Sequence, residues 1–227
     1  MQIIRAAYEA TAAVIQGLEG RVADRGISLP ALCCMVAAGR NGDHVEIGTS
    51  YGASAIAVAL TKKALGYSGE VYCVDPFPDR LAGAQKAVNL PSSIADNPEK
   101  LEAAKKVINS SPEIVQANAD KLGVKLTIIP KPSFPWPEEL KDKEFSTAYI
   151  DGWHANEAPW DDFQNLRDRV TKYIAFDNYE EDYPAVMSAV HRAVSTGQWA
   201  IYFKNMVFVA LRRPAPVRAM GVDVLSL

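Results

Sequence analysis

Five short apolar runs alternate with helical stretches through the middle of this chain, and that alternation narrows the choice of fold more than any other feature. The runs are HVEIG (44–48), EVYCVD (70–75), KLTIIP (125–130), STAYID (146–151) and YIAFD (173–177). Helical patterns lie at 52–64, 98–120, 135–141, 159–170 and 184–196. Near-continuous apolar strands separated by helices predict a parallel sheet covered on both faces. The end of the chain breaks the rule. WAIYFKNMVFVALRR is two apolar runs joined by a polar Lys204–Asn205 turn, the pattern of an antiparallel hairpin. The expectation is an α/β fold: a seven-stranded, mostly parallel sheet with an antiparallel C-terminal hairpin and helices on both faces.

Two helices are expected ahead of the first strand. Ile4, Tyr8, Ala12, Val14, Ile15 and Leu18 fall at helical spacing over 4–19, with Gly20 as a stop. In SLPALCCMVAAGR, Ser28 can cap a helix and Pro30 suits its first turn. These give a division into an N-terminal helical cap (1–42) and a main domain (43–227). The two helices are apolar enough to serve as a homodimer surface or an active-site cap. The least regular stretch is 75–100, rich in Pro, Ser and Asn and long for a connection in a compact domain.

Composition excludes several classes. A net charge of −3 with both signs spread along the chain does not suit a nucleic-acid or anionic-membrane partner. Three cysteines, two of them adjacent (Cys33, Cys34), form neither a disulfide framework nor a zinc spacing and read as buried thiols. The N-terminus has no signal-peptide pattern, and no run nears the roughly 20 apolar residues that span a bilayer. The expectation is a soluble, cytoplasmic protein.

The chemistry starts at EIGTSYGAS, the first strand-to-helix turn. In an open α/β sheet, ligands bind beyond the C-terminal ends of the strands, near the switch in strand order. Gly48 and Gly52 bring bare backbone and free helix N–H groups to that place. The spacing is G-x-x-x-G, not the G-x-G-x-x-G of a dinucleotide turn, which disfavours an NAD-dependent dehydrogenase. A strand–helix joint that merely needs two glycines is the alternative. Asp75 ends the second strand about 27 residues after Gly48, where an acid can accept both hydroxyls of a ribose.

VEIGTSYGASA, VYCVDPF, AYIDGWHANEAPWDDF and IAFDNY, in that order, resemble the motifs of class I S-adenosylmethionine-dependent methyltransferases, which have a Rossmann-like fold. Within that class the chain is most similar to the small-molecule O-methyltransferases of the macrocin O-methyltransferase and cephalosporin-hydroxylase-like group. The likeness runs from about residue 43 to the terminal hairpin. It implies that S-adenosyl-L-methionine binds through Glu46, Gly48, Thr49, Ser50, Tyr51, Gly52, Ser54 and Asp75. The first loop would surround the methionine part, the sulfonium would lie across bare backbone at Gly48, and Asp75 would take the ribose.

YIDGWH and AFDNY end the fourth and fifth strands on the same side of the sheet, so Asp151, His154, Asp177 and Asn178 should converge. Asp151, Asp177 and Asn178 are hard oxygen donors suited to Mg²⁺, Mn²⁺ or Ca²⁺, and their spacing resembles the metal triad of catechol-type O-methyltransferases. A divalent ion would lower the pKa of an acceptor hydroxyl while His154 takes the proton, making His154 and Asp151 the candidate catalytic residues. The alternative makes the two aspartates polar strand ends, Asn178 a turn residue and His154 a loop histidine.

The chain departs from the family pattern in places. Trp153 and Asn156 stand where the family has an acid and a tyrosine, and Val170–Thr171 replace a Gly-Gly. Trp136, Trp153, Trp160, Tyr179 and Tyr183 are candidates for the wall of an acceptor pocket, and His44 and His191 read as structural. The function expected is methyl transfer to a hydroxyl of a small molecule, a sugar or specialised metabolite. The other readings are a non-catalytic nucleoside-binding protein and another enzyme activity on the same fold.

Overall fold

The computed structural model describes residues 1–18, 28–77 and 110–214. Strands β1 (His44–Ile47), β2 (Val71–Val74), β3 (Thr127–Ile129), β4 (Phe145–Ile150) and β5 (Val170–Asp177) run parallel, and β6 (Ala200–Lys204) and β7 (Phe208–Arg212) form the hairpin. The sheet order is β3-β2-β1-β4-β5-β7-β6, with β7 antiparallel to both neighbours. The expected seven strands and single reversed strand are both present.

Six α-helices lie among the described residues: α1 (Gln2–Gly17), α2 (Ser28–Gly39), α3 (Ala53–Leu65), α4 (Pro112–Lys121), α5 (Ala158–Leu166) and α6 (Pro184–Ser195). Strand alternation sorts the core into two layers. Val71, Cys73, Tyr149 and Ala175 pack with α1 to α4, while Val45, Ile47, Tyr72, Val74, Ile150 and Phe176 pack with α5 and α6. Residues 1–42, expected as a cap, thus contribute α1 and α2 to the core that α3 shares.

Several boundaries differ from the sequence reading. The 135–141 stretch is only a 3₁₀ turn (Glu138–Leu140), because Pro135 and Pro137 remove the backbone donors a helix would need. α4 starts at Pro112, where Ser111 accepts the Ile114 N–H as an N-cap, so 98–120 is not one helix through residues 110 and 111. α5 ends at Leu166, and β5 begins at Val170, buried and paired with Phe145, where the family has flexible glycines. Lys204 belongs to β6. The hairpin turn is closed by Asn205, whose side-chain oxygen accepts the N–H groups of Val207 and Phe208. The irregular stretch beyond residue 77 and the Gly20 helix stop lie outside the described residues.

The phase of α1 is also corrected. Its buried face is Ala6, Ala7, Ala10, Thr11 and Val14, whereas Ile4, Tyr8 and Ile15 are exposed. Small side chains let α1 sit close against α3, and the larger apolar ones are left outward. No helix among the described residues is long and apolar enough to cross a membrane.

Candidate active site

The register of the sheet aligns four of the singled-out residues. Ile47 pairs with Val74 on one side and Ile150 on the other, and Ile150 pairs with Phe176. The next residue on each strand therefore falls in one row: Asp75, Gly48, Asp151, Asp177. Alternation directs the three aspartates toward the α1–α4 side, because Cys73, Tyr149 and Ala175, two positions earlier, pack there. The row crosses the β1/β4 boundary, where strand order reverses, and its three aspartates are at most 7% exposed.

Gly48 is needed for a reason the sequence did not disclose. With φ at +88°, a Cβ here would lie 2.1 Å from the Asp151 carbonyl oxygen and 2.7 Å from Gly152 Cα. The missing side chain admits the β4 loop, a structural reason for glycine here that stands beside the expected passage of the sulfonium across this backbone. Gly52, at φ +84°, faces Val115 of α4, 2.9 Å from where a Cβ would be. Ser50, at φ +52°, completes a turn held from both sides. Its N–H donates to Asp75 Oδ2 (2.8 Å), and the Phe77 N–H donates to Asp75 Oδ1 (2.7 Å).

The other first-loop residues are also built in. Glu46 is fully buried on β1 and its Oε1 accepts the Ser54 hydroxyl (2.8 Å) from the first turn of α3. Burial and the Glu46 charge together push the Cys73 thiol well above its usual value, so it stays neutral. Thr49 is buried, and the Tyr51 carbonyl accepts Asn118 Nδ2 (3.0 Å), a tether from α4 that no sequence pattern announced.

On the β4–β5 side, His154 Nε2 stands 3.6 Å from Asp151 Oδ1, and its ring meets Tyr183 edge-on at 5.4 Å. Asp177 is buried and its Oδ1 has no hydrogen-bond partner. Asn178 has the left-handed φ of +53°, and its Nδ2 donates to Glu180 Oε1 at 3.4 Å. The Tyr183 hydroxyl is pushed up by burial and then by the charges of Glu180, Asp182, Asp177 and Asp151. Asp151, His154, Asp177 and Tyr183 thus come together, with Asn178 beside them; Asp75 stands at the far end of the row.

Of the candidate wall aromatics, Tyr179 lines a cavity of about 590 Å³ with Glu180, Glu181, Met187, Lys204 and Met206, beyond the Asp177 end of the row. Trp136 and Trp160 are structural instead. The Trp136 indole N–H donates to the Leu140 carbonyl, and Trp160 stacks on Phe163 beneath the Arg192 guanidinium. Trp153 is exposed. His44 is buried in β1 and bonded to Thr147, and His191 bonds the Tyr179 hydroxyl, both structural as expected.

One further residue escaped the sequence reading. Asp162 is buried, its Oδ1 accepts the Ser133 hydroxyl (2.5 Å), and its Oδ2 lies 3.3 Å from a Cβ built on Gly152. Burial raises its carboxyl to about 7. The signal was available, since Pro159, Asp162, Phe163 and Leu166 share the buried face of α5.

Comparison with known proteins places the fold in a family. A family model described as a methyltransferase domain matches residues 45–192. The chain belongs to the methyltransferase-domain family. It is a class I S-adenosylmethionine-dependent methyltransferase, as the motifs of the first, second, fourth and fifth strands implied. Among solved structures it is similar to the O-methyltransferase NovP (18% identity, 94% of this chain and 81% of that one, TM-score 0.59). It is also similar to a putative O-methyltransferase from Klebsiella pneumoniae (15% identity, 95% and 91%, TM-score 0.57). A third is the Podospora anserina methyltransferase PaMTH1 with bound S-adenosylhomocysteine (12%, 92% and 88%, TM-score 0.56). No curated protein matches the chain.

Proposed function

We propose that this methyltransferase acts on a hydroxyl oxygen of a small molecule, a sugar or specialised metabolite, at the β4–β5 end of the aspartate row. The observation that carries the reading is Asp177: a buried carboxylate with an unpartnered oxygen, beside Asp151 and His154. An orphaned buried acceptor costs about 1–3 kcal/mol and persists where function uses it. The resemblance to O-methyltransferases supports oxygen as the acceptor atom.

S-adenosylmethionine supplies an electrophilic methyl group on a positively charged sulfur. A row of three carboxylates favours such a cation over its neutral demethylated product. Asp75, at the far end of the row, is the acid for the ribose hydroxyls. Its two oxygens each accept one backbone N–H, which holds the carboxylate at the end of β2 where the ribose would lie. With the donor bound, the acceptor oxygen would take the methyl group as the carbon–sulfur bond breaks and its electron pair stays on sulfur. His154 takes the hydroxyl proton, and the Asp151 carboxylate 3.6 Å away stabilises the imidazolium that forms.

Asp151, Asp177 and the Asn178 amide oxygen are the residues that would hold a divalent cation, all with hard donors. Among the described residues no group of three or more His, Cys, Asp or Glu side chains could hold a metal ion. A cation here therefore needs the Asn178 oxygen and water, and the Asn178–Glu180 bond engages only the amide nitrogen. Its chemistry would be to lower the pKa of the acceptor hydroxyl.

The test is calorimetry with S-adenosylhomocysteine followed by methyl-transfer assays with and without EDTA. Asp177→Ala should bind S-adenosylhomocysteine with nearly unchanged affinity and lose methyl transfer by about 10²–10⁴. Full activity in EDTA removes the metal from the proposal; full activity of Asp177→Ala overturns the site.

A further inference from the structure

Asp162 meets two loops at the C-terminal ends of the strands, one after β3 and one after β4. The other buried residues of α5 are Pro159, Phe163 and Leu166, so packing on this face has no need of a carboxyl. Asp162 is nevertheless 4% exposed, and burial raises its carboxyl to about 7. A desolvated acid weakens a core that an apolar side chain would fill, so its presence calls for a use of its geometry.

Its two oxygens meet different segments. Oδ1 accepts the Ser133 hydroxyl (2.5 Å) from the loop after β3. Asn165, three residues further along the same face of α5, donates its amide N–H to the Ser133 carbonyl (2.9 Å). Ser133 is thus gripped at both ends by α5. Asp162 Oδ2 faces the loop after β4, 3.3 Å from where a Cβ on Gly152 would stand. Ile47 Cγ2 lies 3.1 Å from the same point, and Gly152 Cα would be 2.7 Å from a Cβ on Gly48. Gly152 is therefore lodged among Ile47, Gly48 and the Asp162 carboxyl, with no room for a methyl group unless a neighbour moves. Asp151 lies one residue before Gly152 and His154 two residues after it, and His154 Nε2 stands 3.6 Å from Asp151 Oδ1. A shift of Gly152 would carry both.

We propose that Asp162 is a positioning residue for methyl transfer: held by Ser133, it braces Gly152 and so fixes the β4–α5 loop at the setting that brings His154 to Asp151. It acts through the loop and not on the reacting atoms. Asn165 orients Ser133, Ser133 orients the carboxyl, and the Oδ2 edge against Gly152 is the contact that sets the loop. The inference rests on reading Asp151 and His154 as the residues at the reacting end of the row, and it adds what holds them there.

The test uses the full chain with S-adenosylhomocysteine and compares Asp162→Ala, Asp162→Asn and Ser133→Ala with the parent. The readouts are the His154 imidazole NMR resonance, identified by its loss in His154→Gln, and amide hydrogen exchange at residues 152–155 and along β4. Asp162→Ala should shift the His154 resonance and speed exchange at 152–155 by about tenfold, the scale of one lost polar contact, with β4 unchanged. Asp162→Asn keeps the shape and can still accept the Ser133 hydroxyl, so it should return both signals to those of the parent. Ser133→Ala should move both in the same direction by less, and it carries the test if Asp162→Ala does not fold. An unmoved His154 resonance, equal acceleration along β4, or an Asp162→Asn variant that behaves like Asp162→Ala each overturns the proposal. None of these readouts needs an acceptor. Full methyl transfer by His154→Ala would count against the catalytic reading instead, and failure to bind S-adenosylhomocysteine against the donor reading, because both signals are then measured on the chain alone.

Discussion

The two ends of the aspartate row are built on opposite principles. At the β1–β2 end, Asp75 is fully buried and holds the N–H groups of Ser50 and Phe77, so the carboxylate fixes two turns in place. At the β4–β5 end, Asp177 is nearly as buried and has an oxygen with nothing to hold. The same residue type, one row and similar burial give a scaffold acid at one end and an unsatisfied one at the other. Burial alone therefore does not separate the two acids; their hydrogen bonds to the backbone do.

The most severe way to break the comparison is to part the strands on which the row depends. Gly48→Ala puts a methyl group against the Asp151 carbonyl in a backbone conformation that alanine resists, and β1 and β4 cannot both keep their places. Denaturant unfolding should show a loss of about 3 kcal/mol or more, or no folded protein at all. A variant as stable as the parent would mean that the row is not held by this approach.

Exchanging the two acids one at a time sharpens the contrast. Asp75→Ala leaves two buried N–H groups without acceptors and should cost about 2–4 kcal/mol of stability, with weaker S-adenosylhomocysteine binding. Asp177→Ala removes an orphan and should be neutral or stabilising by up to about 1 kcal/mol while activity collapses. Equal stability losses from both variants would erase the distinction drawn between them.

Smaller, and opposite in sign, are two pH effects on stability. His44 is buried neutral, its pKa lowered to about 3 by burial and by Lys62. The unfolded chain gains a proton near pH 6.5 that the folded chain refuses, so stability falls as pH drops from about 6.5 toward 3. Asp162 behaves in reverse. Its folded pKa of about 7 exceeds the ordinary 3.8, so the folded chain keeps a proton the unfolded chain releases, and stability falls as pH rises from about 4 to 7. Melting curves of His44→Gln and Asp162→Asn should each lose one of these slopes. A slope unchanged by its substitution would assign it to other groups.

The smallest effect concerns the tether missing from any motif. Asn118→Ala frees the Tyr51 carbonyl on the first loop and should cost about 1 kcal/mol, with a modest loss of S-adenosylhomocysteine affinity. An unchanged affinity would confine Asn118 to a structural role.

The strands were legible because each is a short apolar run, buried throughout in β1, β2 and β4, and Asp75, Asp151 and Asp177 were legible because each closes such a run. The α1 phase was misread since Ile4, Tyr8 and Ile15 are larger and more apolar than the alanines that pack inward. Hydrophobicity ranks residues by size, whereas close helix contact selects small ones. Asp162 was not singled out, although the phase of α5 turns it inward with Pro159, Phe163 and Leu166.

By itself the sequence determined the order of strands and helices, the reversed last strand and the residues that end each strand. Those follow from local pattern, because periodicity and turn chemistry act over a few residues. Tertiary structure decided the register that brings Asp75, Gly48, Asp151 and Asp177 into one row. It also decided why position 48 must be glycine, since the group that would collide with a side chain there belongs to Asp151, on another strand. Which of two buried aspartates keeps an open oxygen depends on where N–H groups arrive, and the one from Ser50 reaches Asp75 only when β1 and β2 meet.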